Sequence, residues 1–324
     1  MTGKREEGRN AVALCHAALE AVGRLVVGKE AVLEAVLTAL IADGHVLLED
    51  VPGVAKTRIA KVFAAVLGLD FRRIQFVPDL LPGDVTGNMI FDGKTSSFSF
   101  RKGPIFASLI LADEINRGTP KTQAALLEAM QERQITVDGD SFPLGSPFLV
   151  VATQNPIEFE GTYPLPEAQL DRFMIRLTVG YPSAESESTM LGHNGERRSE
   201  ALLPEPVMTR EAFLAIQDDA EALHVDPDIR DYIVRIARAT REDSRIRLGV
   251  SPRGSLALFR LSRACALLRG RSYVLPDDVK AMATLALPHR LILAPELWSG
   301  RLSERDIVES LLEAVPLPPD RRGA

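Results

Sequence analysis

The chain has little of what several specialised architectures require. Its only cysteines among 324 residues, Cys15 and Cys265, lie far apart in apolar helical patterns. They read as reduced core residues, which leaves neither a disulfide framework nor a thiolate metal pair. The five histidines, His16, His45, His193, His224 and His289, are scattered, and none is assigned to catalysis or to a metal. No apolar run approaches the length that crosses a bilayer, and Met1 to Glu7 lacks the apolar core of a signal peptide. The expectation is a cytoplasmic protein with no membrane insertion. A net charge of −6 argues against a protein that coats nucleic acid. A last scarcity is local: the strand-to-helix turn near residue 53 has a single glycine.

What is present allows an enzyme of one large domain or two. The composition, 46% apolar and 25% charged, is that of a globular chain with a sizeable core. The first half alternates helical and strand patterns. Helices are expected at Asn10 to Val22, Glu30 to Ala42, Thr57 to Leu67 and Lys121 to Gln131, and strands at Val46 to Leu48, Phe71 to Phe76, Ser108 to Leu111, Phe148 to Ala152 and Met174 to Thr178. Short, almost wholly apolar strands separated by helices predict an α/β fold with a doubly wound parallel sheet, and ligands in such sheets bind beyond the strand C-termini. Two Asp-Gly pairs, Asp92-Gly93 and Asp138-Gly139, sit between strand-like runs and predict inserted β-hairpins, either decoration or a contact surface. From Tyr181 to about Pro206 the pattern breaks into Pro, Ser, Glu and Gly, and beyond it the chain reads as helices alone. The expected domains are an α/β core at 1–180, a linker with some helix at 181–208 and a helical domain at 209–324. Between Arg230 and Arg271 stand eleven arginines against three acids, a face for a partner, a neighbouring subunit or solvent alone.

Residues 46 to 57, Val-Leu-Leu-Glu-Asp-Val-Pro-Gly-Val-Ala-Lys-Thr, outline a phosphate-binding loop between strand and helix. Against the G-x-x-x-x-G-K-[ST] pattern, Asp50 stands for the first glycine and Ala55 for the one before the lysine. A triphosphate needs backbone N–H groups converging at a helix N-terminus. Pro52, Gly53, Val54 and Ala55 would supply that turn, with Asp50 at the strand end, away from the lysine. Lys56 would reach the β- and γ-phosphates of ATP, and the Thr57 hydroxyl would coordinate Mg²⁺. The same stretch also fits an ordinary strand-turn-helix with a surface lysine, so the remaining chemistry has to decide.

Leu109-Ile110-Leu111-Ala112-Asp113-Glu114 is an apolar strand ending in adjacent carboxylates at the sheet edge. Asp113 would hold Mg²⁺, and Glu114 would act as general base toward the water that attacks the γ-phosphate. The next strand, Phe148 to Ala152, runs into Thr153-Gln154-Asn155-Pro156. Asn155 is the better candidate to orient that water, with Gln154 and Thr153 in reserve; a turn-forming Asn before proline is the alternative.

These stretches, with Leu165-Pro166-Glu167-Ala168-Gln169-Leu170-Asp171-Arg172-Phe173 and Ser251-Pro252-Arg253, resemble the MoxR family of AAA+ ATPases over most of the chain and in the same order. Alanine before the lysine is common in that family. The resemblance implies an AAA+ core with hairpin inserts, a helical lid and a homo-oligomeric, usually hexameric, ring. It makes Lys56 and Thr57 the Walker A pair, Asp113 and Glu114 the Walker B pair, and Asn155 sensor 1. It makes Arg172 the arginine finger entering a neighbour's site; an intramolecular ion pair is the other use of that residue. Arg253 resembles sensor 2, with Gly254 where alanine is usual, a change expected to loosen the helix start. Val26-Val27-Gly28 resembles the segment that contacts adenine, and a hydrophobic helix entry reads equally well.

The expected function is Mg²⁺-dependent ATP hydrolysis driving chaperone-like remodelling or maturation of a client, with a von Willebrand factor A domain protein as the partner the family implies. The alternatives are a motor subunit of a metal chelatase, a ring directed at nucleic acid, and a nucleotide-gated scaffold that barely hydrolyses.

Overall fold

Three strands of this protein are apolar at almost every position, and the two faces of a single sheet explain why. The computed structural model describes residues 2–51, 55–94, 96–156, 161–194, 203–297, 300 and 302–319, with the backbone alone at 2–9, 190, 191, 193 and 194. The chain begins α1 (Thr2–Gly23), α2 (Glu30–Ile41), β1 (Val46–Glu49), α3 (Lys56–Val66), β2 (Phe71–Gln75) and α4 (Pro82–Thr86). It continues β3 (Gly87–Asp92), β4 (Ser97–Lys102), β5 (Leu109–Asp113), α5 (Pro120–Glu132), β6 (Gln134–Val137), β7 (Asp140–Pro143), β8 (Leu149–Gln154), α6 (Glu167–Leu170), β9 (Ile175–Leu177) and α7 (Ala184–Asn194). The C-terminal part holds α8 (Arg210–Ala222), α9 (Pro227–Glu242), β10 (Ile246–Leu248), α10 (Pro252–Leu268), α11 (Pro276–Ala286), β11 (Ile292–Leu293) and α12 (Glu304–Ala314).

The main sheet has the order β2-β5-β8-β1-β9, and all its pairings are parallel. Successive side chains alternate between its faces. Val46, Leu48, Leu109, Leu111, Leu149 and Val151 join a core with α1, α2, α3 and the C-terminal helices. Leu47, Ile110, Ala112, Val150 and Ala152 join a second core with α5 and Phe76. Burial on both faces is why these strands read as continuous apolar runs, as a doubly wound sheet requires.

Both Asp-Gly turns close antiparallel hairpins, β3 with β4 and β6 with β7. The first exposes Phe91 and Phe98, whose ring centroids lie 5.2 Å apart.

Helix starts in the C-terminal part follow their sequence signals. Thr209, Asp226, Ser251 and Ser303 each accept a backbone N–H at an N-cap, and Pro227, Pro252 and Pro276 occupy first turns. The expectation of helices alone in this region is corrected: β10 and β11 form a small antiparallel ribbon. Strands of two or three residues are too short to show a period. The segment expected as a linker with some helix carries α7. Cys15 and Cys265 are each 1% exposed, and burial pushes both thiols up to about 12. Among the described residues, no helix is long and apolar enough to cross a membrane.

Candidate functional site

The parallel sheet aims the C-terminal ends of β1, β5 and β8 at one edge, and the candidate residues gather there. Pro52, Gly53 and Val54 of the expected loop lie outside the described residues. Ala55 precedes α3 in the left-handed region, at φ 63° and ψ 18°, a conformation that glycine adopts without steric cost. Lys56 opens the helix, and its ammonium donates to the carbonyls of Asp50 and, at 3.2 Å, Gln154. Burial pulls Lys56 below its ordinary pKa, opposed by the carboxylates of Asp50, Asp113, Glu114 and Glu49. Asp50 was expected away from the lysine, and the structure corrects this. Its carbonyl faces Lys56, one carboxylate oxygen accepts the Val51 N–H at 2.7 Å, and the other accepts the Gly180 N–H.

Thr57 follows on the first turn of α3, and its hydroxyl lies 3.3 Å from Asp113 Oδ2. Asp113 ends β5 and is 6% exposed. Its Oδ1 accepts the Thr153 hydroxyl at 2.6 Å, and the same hydroxyl oxygen accepts the Glu114 N–H at 2.8 Å. Thr153, held in reserve by the sequence reading, is therefore the β8 residue that ties both acids together. Glu114 turns off the strand at φ 55°. Its Oε2 accepts from Gln75 Nε2 at 2.8 Å and Arg117 Nη1 at 3.2 Å. Asn155, just beyond β8, is 4% exposed, and its carbonyl accepts from Asn116 Nδ2 at 3.1 Å. Gln154 points elsewhere, donating to Glu49 at 2.5 Å.

Arg73 and Gln75 belong to this cluster and were missed by sequence reasoning. Arg73 reaches Asp113 Oδ2 through Nη2 at 2.7 Å and Nε at 2.9 Å, and also donates to Gln75. The available signal was their spacing: residues i and i+2 of Phe71-Arg72-Arg73-Ile74-Gln75 share a face of the strand that pairs with β5.

Other expected residues stand apart. Arg172 is half-buried beyond α6 and donates Nε to Gln131 at 3.2 Å, not to the carboxylates of the cluster. Arg253 lies exposed in the first turn of α10. Val27 is half-buried and Gly28 has φ 73°, with α7 so close that a Cβ on Gly28 would stand 2.2 Å from Ser186 Oγ. Beside them Lys29 donates to three successive carbonyls, Val179 at 2.9 Å, Gly180 at 2.9 Å and Tyr181 at 2.8 Å.

The donor set suits magnesium. Mg²⁺ keeps several waters and takes one or two protein oxygens together with substrate phosphates. A hydroxyl from Thr57 and a carboxylate from Asp113, converging beside a lysine, offer that chemistry. Among the described residues no cluster of three His, Cys, Asp or Glu side chains offers a complete protein cage.

Comparison with known proteins bears on the family and the fold. Residues 45–175 match the ATPase family associated with various cellular activities (AAA), and residues 238–311 match the AAA lid domain. The chain is 49% identical to the uncharacterised protein YeaC of Bacillus subtilis, covering 94% of this chain and 95% of that one. It is 43% identical to Chaperone MoxR1 of Mycobacterium tuberculosis, covering 92% of this chain and 80% of that one. A crystal structure of a protein described as an ATPase from Cytophaga hutchinsonii superposes with a TM-score of 0.90 at 38% identity, over 98% of this chain and 99% of that one. A five-stranded parallel sheet, an AAA match followed by a lid match, and 43% identity to Chaperone MoxR1 over 92% of this chain place it in the MoxR family of AAA+ ATPases.

Proposed function

We propose that this protein hydrolyses ATP with Mg²⁺ in a closed ring of identical subunits, with six as the expected number, and uses the cycle to remodel or mature a client protein. The observation that carries the proposal is the continuous hydrogen-bonded set Thr57, Asp113, Thr153 and Glu114, with Lys56 beside it, at the edge of a parallel sheet. Lys56 would exchange the carbonyls of Asp50 and Gln154 for the β- and γ-phosphates, which its charge favours over neutral acceptors. Thr57 and Asp113 would hold Mg²⁺, whose charge offsets that of the phosphates. Glu114 would take a proton from the attacking water as the oxygen closes on the γ-phosphorus and ADP departs. Asn155 and Arg253 would read whether the γ-phosphate is present, and the segment Val27-Gly28 would sit against adenine.

Arg172 fits a role in trans. Its guanidinium lies away from its own subunit's carboxylate cluster, and an always-charged planar fork suits a phosphate presented by a neighbour. Such an arrangement is a heterologous ring that closes on itself. A client, a partner with a von Willebrand factor A domain and a cytoplasmic setting remain part of the proposal, on the MoxR likeness alone. The chelatase and nucleic-acid alternatives are less favoured, because the MoxR1 relative aligns over 92% of this chain.

The test uses two inactive variants. Glu114→Gln and Arg172→Ala should each abolish hydrolysis while ATP binding persists. Mixed rings should recover turnover, because an intact Glu114 then meets an intact Arg172 across a subunit boundary. An Arg172→Ala protein with full turnover would sink the trans reading. Glu114→Gln, loaded with ATP, is also the form with which to capture a client.

A further inference from the structure

We propose that Asp171 and Arg290 form a latch by which the lid positions Arg172, so that an arginine serving a neighbour is held by its own subunit's lid. The inference rests on the proposed trans role of Arg172.

Arg290 lies in the short turn Pro288–Arg290 between α11 and β11 and its side chain is 2% exposed. It spends its donors on both sides of Arg172. Nε bonds Asp171 Oδ1 at 2.7 Å, Nη2 bonds the carbonyls of Phe173 at 2.7 Å and Asp171 at 3.3 Å, and Nη1 bonds the Met174 carbonyl at 3.1 Å. The second oxygen of Asp171 accepts the hydroxyl of Ser251 at 2.9 Å, and Ser251 is the N-cap of α10. One core carboxylate therefore joins two separate elements of the lid, one of which carries Arg253.

The burial pattern shows why Arg172 needs this support. Downstream, Phe173 and Met174 are buried at 0% and 7% exposure and lead directly into β9. Upstream, α6 has no fully buried residue. Arg172 stands at that boundary, and Asp171 is the point at which the weakly anchored side is tied down. α10 has no comparable need, because Ala257, Leu258, Leu261 and Ala264 fix it in the buried core that the C-terminal helices share with α1, α2 and α3.

Gly254 supplies an independent sign. A Cβ there would stand 2.5 Å from Val250 Cγ1 and 2.8 Å from Arg290 Cδ. The glycine expected to loosen the start of α10 instead makes room for the arginine that reaches the core. Its N–H is still capped by Ser251 at 3.3 Å.

Mixed rings give the latch a directional test. In a mixture of Glu114→Gln and Arg172→Ala subunits, the first donates the arginine and the second supplies the reacting site. Asp171→Asn, which keeps an acceptor but loses the charge, is added to one subunit at a time. Placed on the Glu114→Gln subunit, it should lower the recovered turnover by about tenfold to a hundredfold, the scale of a catalytic group displaced by about 1 Å. On the Arg172→Ala subunit it should change turnover by less than about twofold, since that subunit's finger is already gone. Equal losses in both placements would mean general damage to the fold and overturn the latch, as would no loss in the first. If the parent mixture recovers no turnover, the trans role of Arg172 fails first, and the latch fails with it.

Discussion

Replacing Ala55 with glycine should stabilise the protein slightly and leave its ATPase activity nearly unchanged. Ala55 stands at φ 63° and ψ 18°. A side chain with a Cβ carries about 1–2 kcal/mol of steric cost in the left-handed region. Glycine removes that cost but adds about 0.4–1 kcal/mol of unfolded-state freedom. The difference favours glycine by roughly 0.5–1 kcal/mol, which in a chain of this size raises Tm by about 2 °C or less. The backbone N–H at position 55 is the same in both proteins, so the donors offered to a phosphate do not change in number. ATP affinity should stay within about threefold and turnover within about twofold of the parent. Thermal unfolding, titration with a fluorescent nucleotide and steady-state phosphate release measure the three quantities. A lower Tm would refute the strain argument. A rise in turnover of about tenfold or more would show that the alanine disables the loop.

Arg73→Ala should lower the Mg²⁺ concentration that gives half-maximal turnover by about fivefold, because a guanidinium 2.7 Å from Asp113 opposes a second cation there by about 1 kcal/mol; a higher Mg²⁺ concentration at half-maximum would count against it. Gln75→Ala frees Glu114 from a 2.8 Å bond. Losing that donor should leave the carboxylate free to turn toward the attacking water and raise basal turnover by up to about tenfold, with ATP affinity unchanged; a fall in turnover contradicts that. Asp278 is fully buried; burial would raise its pKa, but bonds from Arg271 and the Leu275 N–H, with the charges of Arg271 and Arg269, hold it below its ordinary value. A depressed carboxyl contributes stability above its unfolded pKa of about 3.9 and loses that contribution as pH falls through its folded value. Asp278→Asn should therefore cost roughly 3 kcal/mol in a urea titration at pH 7, with the gap from the parent closing below about pH 4. A gap that does not change with pH would refute the assignment.

The fold was legible because its signals are local. Apolar strands such as Leu109 to Asp113 announce a sheet covered on both faces, and Ser251-Pro252 announces a helix start wherever it docks. That Lys56, Thr57, Asp113 and Glu114 would lie together was legible because the proposed chemistry needs fixed residue types next to a strand end. The rest of the site depends on pairings between distant segments. Arg73 becomes part of the cluster only because β2 lies in register beside β5, and Thr153 outranks Gln154 because alternation aims it at Asp113. Asp50 looked like a defect in a glycine pattern, yet its carboxylate is bonded to Gly180, far along the chain. Gly254 similarly has no reason in its own helix, and its reason is the path of Arg290.

The two cysteines have a practical consequence. With both thiols 1% exposed and pushed up to about 12, neither offers appreciable thiolate near neutral pH. A cysteine introduced on the exposed turn of α10 or at the tip of the β3–β4 hairpin can then take a maleimide dye while Cys15 and Cys265 stay silent. Pairs of such dyes would report the distance between lid and core during turnover, in the otherwise native chain.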